Sequence, residues 1–134
     1  RGLEVVPLPS SRSRWMILVD PEAGGERCED LLSQARALSR ASFARRFYAR
    51  DLAGSRHLAL LVDADWKRVL AYCLCSTSRP SRELWVEQCA VSDGGRGQGL
   101  IGPLADWAHS WAASAGCGGV RVRAANGGAA KELA

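Results

Sequence analysis

The stretch Glu87–Leu104, EQCAVSDGGRGQGLIGPL, constrains this chain more than any other. An apolar strand ends near Val91, glycines crowd the residues after it, and an amphipathic helix follows. Such a passage leaves main-chain N–H groups available at the helix start, where the positive end of the helix dipole favours anions. Glycines 97, 99 and 102 let a bulky phosphate group approach the main chain without meeting a side chain. Arg96 adds a permanent cation beside those amides. The stretch reads as a phosphate cradle, and the remaining residues must say whose phosphate it suits.

At 134 residues the chain can build one hydrophobic core but not two, so residues 1–134 are expected to form a single domain. Its 47% hydrophobic and 24% charged residues are those of an ordinary soluble globular protein. No apolar run approaches the roughly 20 residues of a membrane helix, and no secretory signal is visible. Five cysteines (28, 73, 75, 89 and 117) show no CxxC pairing, and three lie in apolar stretches. Reduced core thiols in a cytoplasmic protein are the natural reading, with no structural metal, because both histidines stand far from any cysteine pair. The net charge of +4 suits a polyanionic ligand of either kind, nucleotide cofactor or nucleic acid, and does not choose between them.

Residues 3–8 suggest a short edge strand closed by Pro7 and Pro9, and 14–19 (RWMILV) a buried strand stopped at Asp20-Pro21. From Glu26 the period becomes helical, with Leu31, Leu32, Ala35, Leu38 and Ser42 on one stripe. A second helical piece runs through Phe43 and Phe47 to Gly54. Its arginines 45, 46 and 50 could meet nucleic acid, but without an aromatic stacking surface they read as a solvated face. Three strands follow, at 57–62, 68–76 and 84–91, spaced closely enough for an antiparallel meander. The next helix carries Leu100, Leu104, Trp107, Ala108, Trp111 and Ala115 on its core face, Asp106 and Ser110 outward, and Gly116 as its C-terminal cap. Pro103 demands either a helix that starts near Gly99 or a kinked restart at Pro103. One further strand, 119–124, closes a parallel strand–helix–strand unit. The expected fold class is therefore α/β, more fully an α+β mixed sheet.

GQGLIG at 97–102 matches the dinucleotide fingerprint GxGxxG letter for letter. Residues 92–96 nevertheless separate it from the strand, and Arg121 and Arg123 occupy the region where the ribose-binding acid belongs. A P-loop needs a Gly-Lys-Ser/Thr ending, which is missing here.

The order of elements fits a third family. Arg96-Gly97-Gln98-Gly99-Leu100 resembles the acyl-CoA-binding motif of the GNAT superfamily of N-acetyltransferases, Arg/Gln-x-x-Gly-x-Gly/Ala. EQCAVS resembles the family's fourth strand, Leu104 stands where its next helix carries leucine, and Asn126 where an asparagine often follows the fifth strand. The resemblance covers residues 57–130 by element order and is motif-specific over 87–104.

That resemblance implies a GNAT-like fold, with antiparallel N-terminal strands and a parallel unit of fourth strand, third helix and fifth strand. It also implies acetyl-CoA as co-substrate. The amides of Gly97, Gln98, Gly99, Leu100, Ile101 and Gly102, with Arg96, would hold the pyrophosphate. Cys89, Ala90 and Val91 would line the pantetheine arm between splayed strands, with Asn126 at the far side. The amide of Val91 would polarise the thioester carbonyl while a primary amine attacks it directly. Glu87 is the candidate general base, and strand alternation puts it on one face with Cys89 and Val91, leaving Gln88 and Ala90 on the other. The acceptor would be a small-molecule or protein amine. Nucleic acid and membrane are not expected partners, and a homodimer is compatible with the family.

Two positions depart from the pattern. Ile101 stands where a small residue is usual and is expected to crowd the turn or shift its register. The family's fourth helix, its acid tyrosine and its last two strands have no counterpart before Ala134, and Leu133 stands about where that tyrosine would. The alternative is therefore a GNAT-like module that binds coenzyme A or a protein partner without turnover.

Overall fold

A computed structural model describes residues 2–8, 15–43, 52, 54, 56–78 and 82–122. Among them are six strands and two α-helices, β1 (Glu4–Pro7), β2 (Trp15–Val19), α1 (Glu26–Phe43), β3 (Arg56–Asp63), β4 (Val69–Ser78), β5 (Glu83–Val91), α2 (Ile101–Ser114) and β6 (Gly119–Val122). The strands form one sheet in chain order β1-β2-β3-β4-β5-β6. Every neighbouring pair is antiparallel except β5 and β6, which are parallel across α2. The mixed α/β class and its single parallel unit are as the sequence led us to expect. The second helical piece, with Arg45, Arg46 and Arg50, lies mostly outside the described residues, as does Asn126.

One helix covers each face of the sheet. Cys28, Leu31, Leu32 and Ala35 of α1 pack against Leu18, Leu58, Leu60, Tyr72, Leu74 and Ala90. Leu104, Trp107, Ala108 and Ala112 of α2 pack on the other face, against Ile17, Ala59, Leu61, Cys73, Val86 and Cys89. Strand alternation supplies both faces from the same strands, which is why the central strands read as unbroken apolar runs. Along α1, Ser42 is exposed and Ser39 is the buried serine, while the partly buried Phe43 still packs on the same cluster, so the stripe runs to the helix end through 39 and 43 rather than 42. Along α2, Ala115 is exposed and Trp111 half-buried, while Asp106 and Ser110 face outward.

The ends of α2 answer the Pro103 question. The helix begins at Ile101 with Leu100 as N-cap, so Pro103 occupies the third helical position. There its missing N–H is one that no preceding carbonyl could have accepted, and the helix needs no kink. At the other end Gly116 has φ 79°, Cys117 N–H bonds the Ala112 carbonyl at 2.8 Å, and Gly116 N–H bonds Ala113 at 3.2 Å. That is a Schellman closure with glycine in the left-handed position.

Candidate functional site

The site begins with an irregularity in β5. Leu74 faces Gln88 and Cys75 faces Val86, so Glu87 is the extra residue of a β-bulge. The bulge absorbs one step of the two-residue alternation, and the expected grouping of Glu87 with Cys89 and Val91 does not hold. Gln88 reaches Ser39 of α1, while Glu87 Oε1 accepts a hydrogen bond from Ser76 Oγ at 2.8 Å. Ser76 follows Cys75, which packs on the α2 side, so both Glu87 and Gln88 lie on the α1 side. Cys89 and Val91 pack on the α2 side instead. The half-buried Glu87 carboxylate is thus held by a hydroxyl, which offsets its desolvation.

Main-chain direction separates the same residues again. Ser92 N–H bonds the Leu70 carbonyl at 2.8 Å, continuing the register in which Ala71 faces Val91. Antiparallel strands exchange bonds at every second pair, so Ala90 and Gln88 aim their main-chain groups at Tyr72 and Leu74 of β4. The main-chain groups of Cys89 and Val91 therefore turn away from β4, to the side where β6 lies. Of the three residues expected beside the pantetheine arm, Ala90 brings no group to that side: its methyl packs toward α1. The described β5–β6 pairing joins Glu83–Val86 to Gly119–Val122. The expected parting of the two strands involves residues outside the described ones.

The turn after β5 opens with a short 3₁₀ segment, Asp93–Gly95. Gly95 is buried, and a Cβ there would come within 2.6 Å of the Leu70 carbonyl oxygen, so packing requires glycine. Gly97 and Gly99 have φ of 76° and 66°, and conformation requires glycine at both. Gln98 Nε2 donates to the Gly94 carbonyl at 2.7 Å, bracing the turn from within. Gly102 differs from the others. It lies outside the positive-φ group, and a Cβ built on it meets nothing within 4 Å. Neither backbone nor packing among the described residues demands glycine at 102.

Leu100 and Ile101 turn inward, 2% and 7% exposed, and join the core beneath α2. The expected crowding of the turn by Ile101 does not arise, because its side chain faces the sheet. Only the amides of these two residues can serve a ligand. The N-terminus of α2 has no side-chain cap bond and no acidic residue in its first turn. Its dipole is therefore left uncompensated by its own first turn. Arg96 is exposed, and its Nε stands 3.4 Å from the Asp93 carboxylate in a water-facing ion pair that constrains it little.

Two buried clusters lie beneath this surface. Hydrogen bonding with Cys75, together with burial, holds the Cys73 thiol well above its ordinary pKa, with Cys89 acting in the opposite sense. Cys89 itself is fully buried opposite Cys73, a poor place for an acyl-carrying thiol. Burial likewise pushes the Tyr72 phenol up, against a lowering hydrogen bond from Ser39. Ser39, Ser76 and Tyr72 were not legible as site residues in the sequence, because only strand register and helix docking bring them to β5. No helix among the described residues is long and apolar enough to cross a membrane.

No protein-family model matches the chain, and no curated protein matches it in sequence. Solved structures match in fold. An aminoglycoside acetyltransferase from an uncultured soil metagenomic sample, solved with trehalose, superposes with TM-score 0.65 at 13% identity, over 86% of this chain and 80% of that one. An integron cassette protein from the mobile metagenome of V. cholerae superposes with TM-score 0.62 at 19% identity, over 83% and 75%. A nourseothricin acetyltransferase overlaps less, with TM-score 0.46 and 24% identity over 51% of this chain, which spans only 39% of that protein.

Proposed function

For this chain, which has the GNAT acetyltransferase fold, we propose an N-acetyltransferase that takes its acetyl group from acetyl-CoA and delivers it to a primary amine. The observation that carries the proposal is the junction of β5 with α2. A helix start without cap or first-turn acid, its second residue Gly102 open for no internal reason, follows the glycine turn. An anion lying over that turn would account for both features. The amides of Gly97, Gln98, Gly99, Leu100, Ile101 and Gly102 are available to a pyrophosphate, with Arg96 exposed beside them to add charge. Pro103 contributes no amide, so the helix offers Ile101 and Gly102 from its first turn.

The chemistry follows from β5. Cys89 and Val91 direct main-chain groups to its β6 side, suited to an extended pantetheine arm. The Val91 amide is the donor suited to the thioester carbonyl, whose oxygen gains charge during attack. The incoming amine forms a C–N bond as the C–S bond breaks, and the sulfur leaves as a thiolate that takes the second proton the nitrogen sheds on becoming an amide. Glu87, held by Ser76, accepts the ammonium proton directly or through one water. Tyr72 is fully buried and bonded to Gln88, which removes it as a proton source for the thiolate. That enclosure also favours a second reading, a module that binds coenzyme A without turnover. With none of the five cysteines in a disulfide, the chain suits a reducing compartment, and the proposal includes the cytoplasm.

Calorimetric titration with acetyl-CoA tests the shared premise. Saturable binding is expected, and no binding at all sinks both readings. A screen of primary amines for release of free coenzyme A then separates them, since only the enzyme consumes acetyl-CoA in the presence of an acceptor.

A further inference from the structure

The strand that bulges at Glu87 is gripped at the very next residue. Gln88 is 6% exposed, and its carboxamide Oε1 accepts a hydrogen bond from Ser39 Oγ at 2.5 Å and from Tyr72 Oη at 2.9 Å. Ser39 and Tyr72 are both 0% exposed. The two lone pairs of one oxygen thereby tie α1, β4 and β5 together at a single atom. Such a contact adds little net stability, because replacing all partners by apolar groups of the same shape is nearly neutral. What a satisfied buried network supplies is one arrangement rather than several.

Its place in the strand says which arrangement is at stake. A bulge that slides by one residue exchanges the faces of the side chains it passes. Carrying this one out past the end of β5 would slip residues 88–91 one place along β4 and turn the Gln88 carboxamide from its two donors toward the apolar α2 side. The grip excludes that alternative. We propose that the Ser39–Gln88–Tyr72 contact is a positioning device that holds the β5 bulge in register. It keeps the main-chain groups of Cys89 and Val91 aimed at the path of the pantetheine arm. The inference rests on the coenzyme A reading above, and none of the three residues touches a ligand itself.

The test compares two probes, coenzyme A and ADP, titrated into the wild type and into Gln88→Met. ADP keeps the pyrophosphate and lacks the pantetheine arm, while methionine keeps the length and loses the acceptor. In the wild type, coenzyme A should bind more tightly than ADP. In Gln88→Met, ADP affinity should stay within about twofold while coenzyme A affinity falls roughly tenfold, the scale of one lost buried anchor. The ratio is what a merely structural role would not move. Equal losses for both probes, no loss for either, or a wild type that prefers neither probe would each overturn the positioning role and leave the cradle standing. A wild type that binds neither probe overturns the cradle and the positioning role together. Should Gln88→Met fail to fold, the double variant Ser39→Ala/Tyr72→Phe, which strips both donors, is judged by the same ratio.

Discussion

Gly102 offers a test in which stability and binding move in opposite directions. It is the second residue of α2, lies outside the positive-φ group, and has open space where a Cβ would stand. Alanine at this position narrows the unfolded ensemble and favours the helix, so Gly102→Ala should stabilise the ligand-free protein by about 0.5–1 kcal/mol. For a chain of this size that corresponds to a rise in Tm of roughly 2–5 °C. Gly97→Ala and Gly99→Ala should act with the opposite sign. Their φ values of 76° and 66° put a Cβ against the following carbonyl, at a cost of about 1–2 kcal/mol each. For binding, Gly102→Leu fills the space above the helix start, where a charge-assisted N–H bond to phosphate contributes about 1.5–3 kcal/mol. Loss of one such bond weakens acetyl-CoA by roughly 10–100-fold. Thermal melts of the three alanine variants and calorimetry of Gly102→Leu measure these quantities. A destabilised Gly102→Ala, or a Gly102→Leu that binds acetyl-CoA like the wild type, would refute the reasoning that this glycine is kept for an anion.

Glu87→Gln should lower the rate of acetyl transfer on the order of 10²-fold near neutral pH while leaving acetyl-CoA affinity unchanged, and an unaltered rate in steady-state assays would remove Glu87 from the base role. Stability should also respond to alkali. Cys73 and Tyr72 have folded-state pKa values raised above their ordinary 9.0 and 10.0. Below pH 9 both states keep these protons and stability is flat. As pH rises past 9 and then 10 the unfolded chain releases protons that the folded chain retains, so stability falls. Urea unfolding followed from pH 8 to 11 should show this loss, and Tyr72→Phe should shrink the part that sets in near 10. A variant whose alkaline limb matches the wild type would count against the buried phenol as its source.

The elements with one dominant period were readable in advance. The α2 stripe of Leu104, Trp107 and Ala108 repeats at helical spacing, and the apolar runs of β2 to β5 are long enough to be strands covered on both sides. Gly116 announced the end of α2 because a left-handed residue there has few alternatives to glycine. Glu87 was identified as a candidate base, but its face was misassigned. Simple alternation assumes that each β5 residue has one partner on β4, and the bulge breaks that count without any mark in the residues 85–89 themselves. Ile101 was misread for a related reason: its side chain was assigned to the ligand side of the turn before the orientation of α2 on the sheet was known.

By itself the sequence determined the class of fold and the strand–glycine turn–helix junction. These depend on interactions between residues a few positions apart: periodicity, glycine conformation and the orphan amides of a helix start. Only the tertiary structure decided which side of β5 each residue faces, that Ser76 holds the Glu87 carboxylate, and that Ser39 and Tyr72 grip Gln88. Those contacts join residues 11 to 49 positions apart. They exist because one inserted residue shifts the register between β4 and β5 and because α1 docks on one chosen face, and both are properties of pairing rather than of any local stretch.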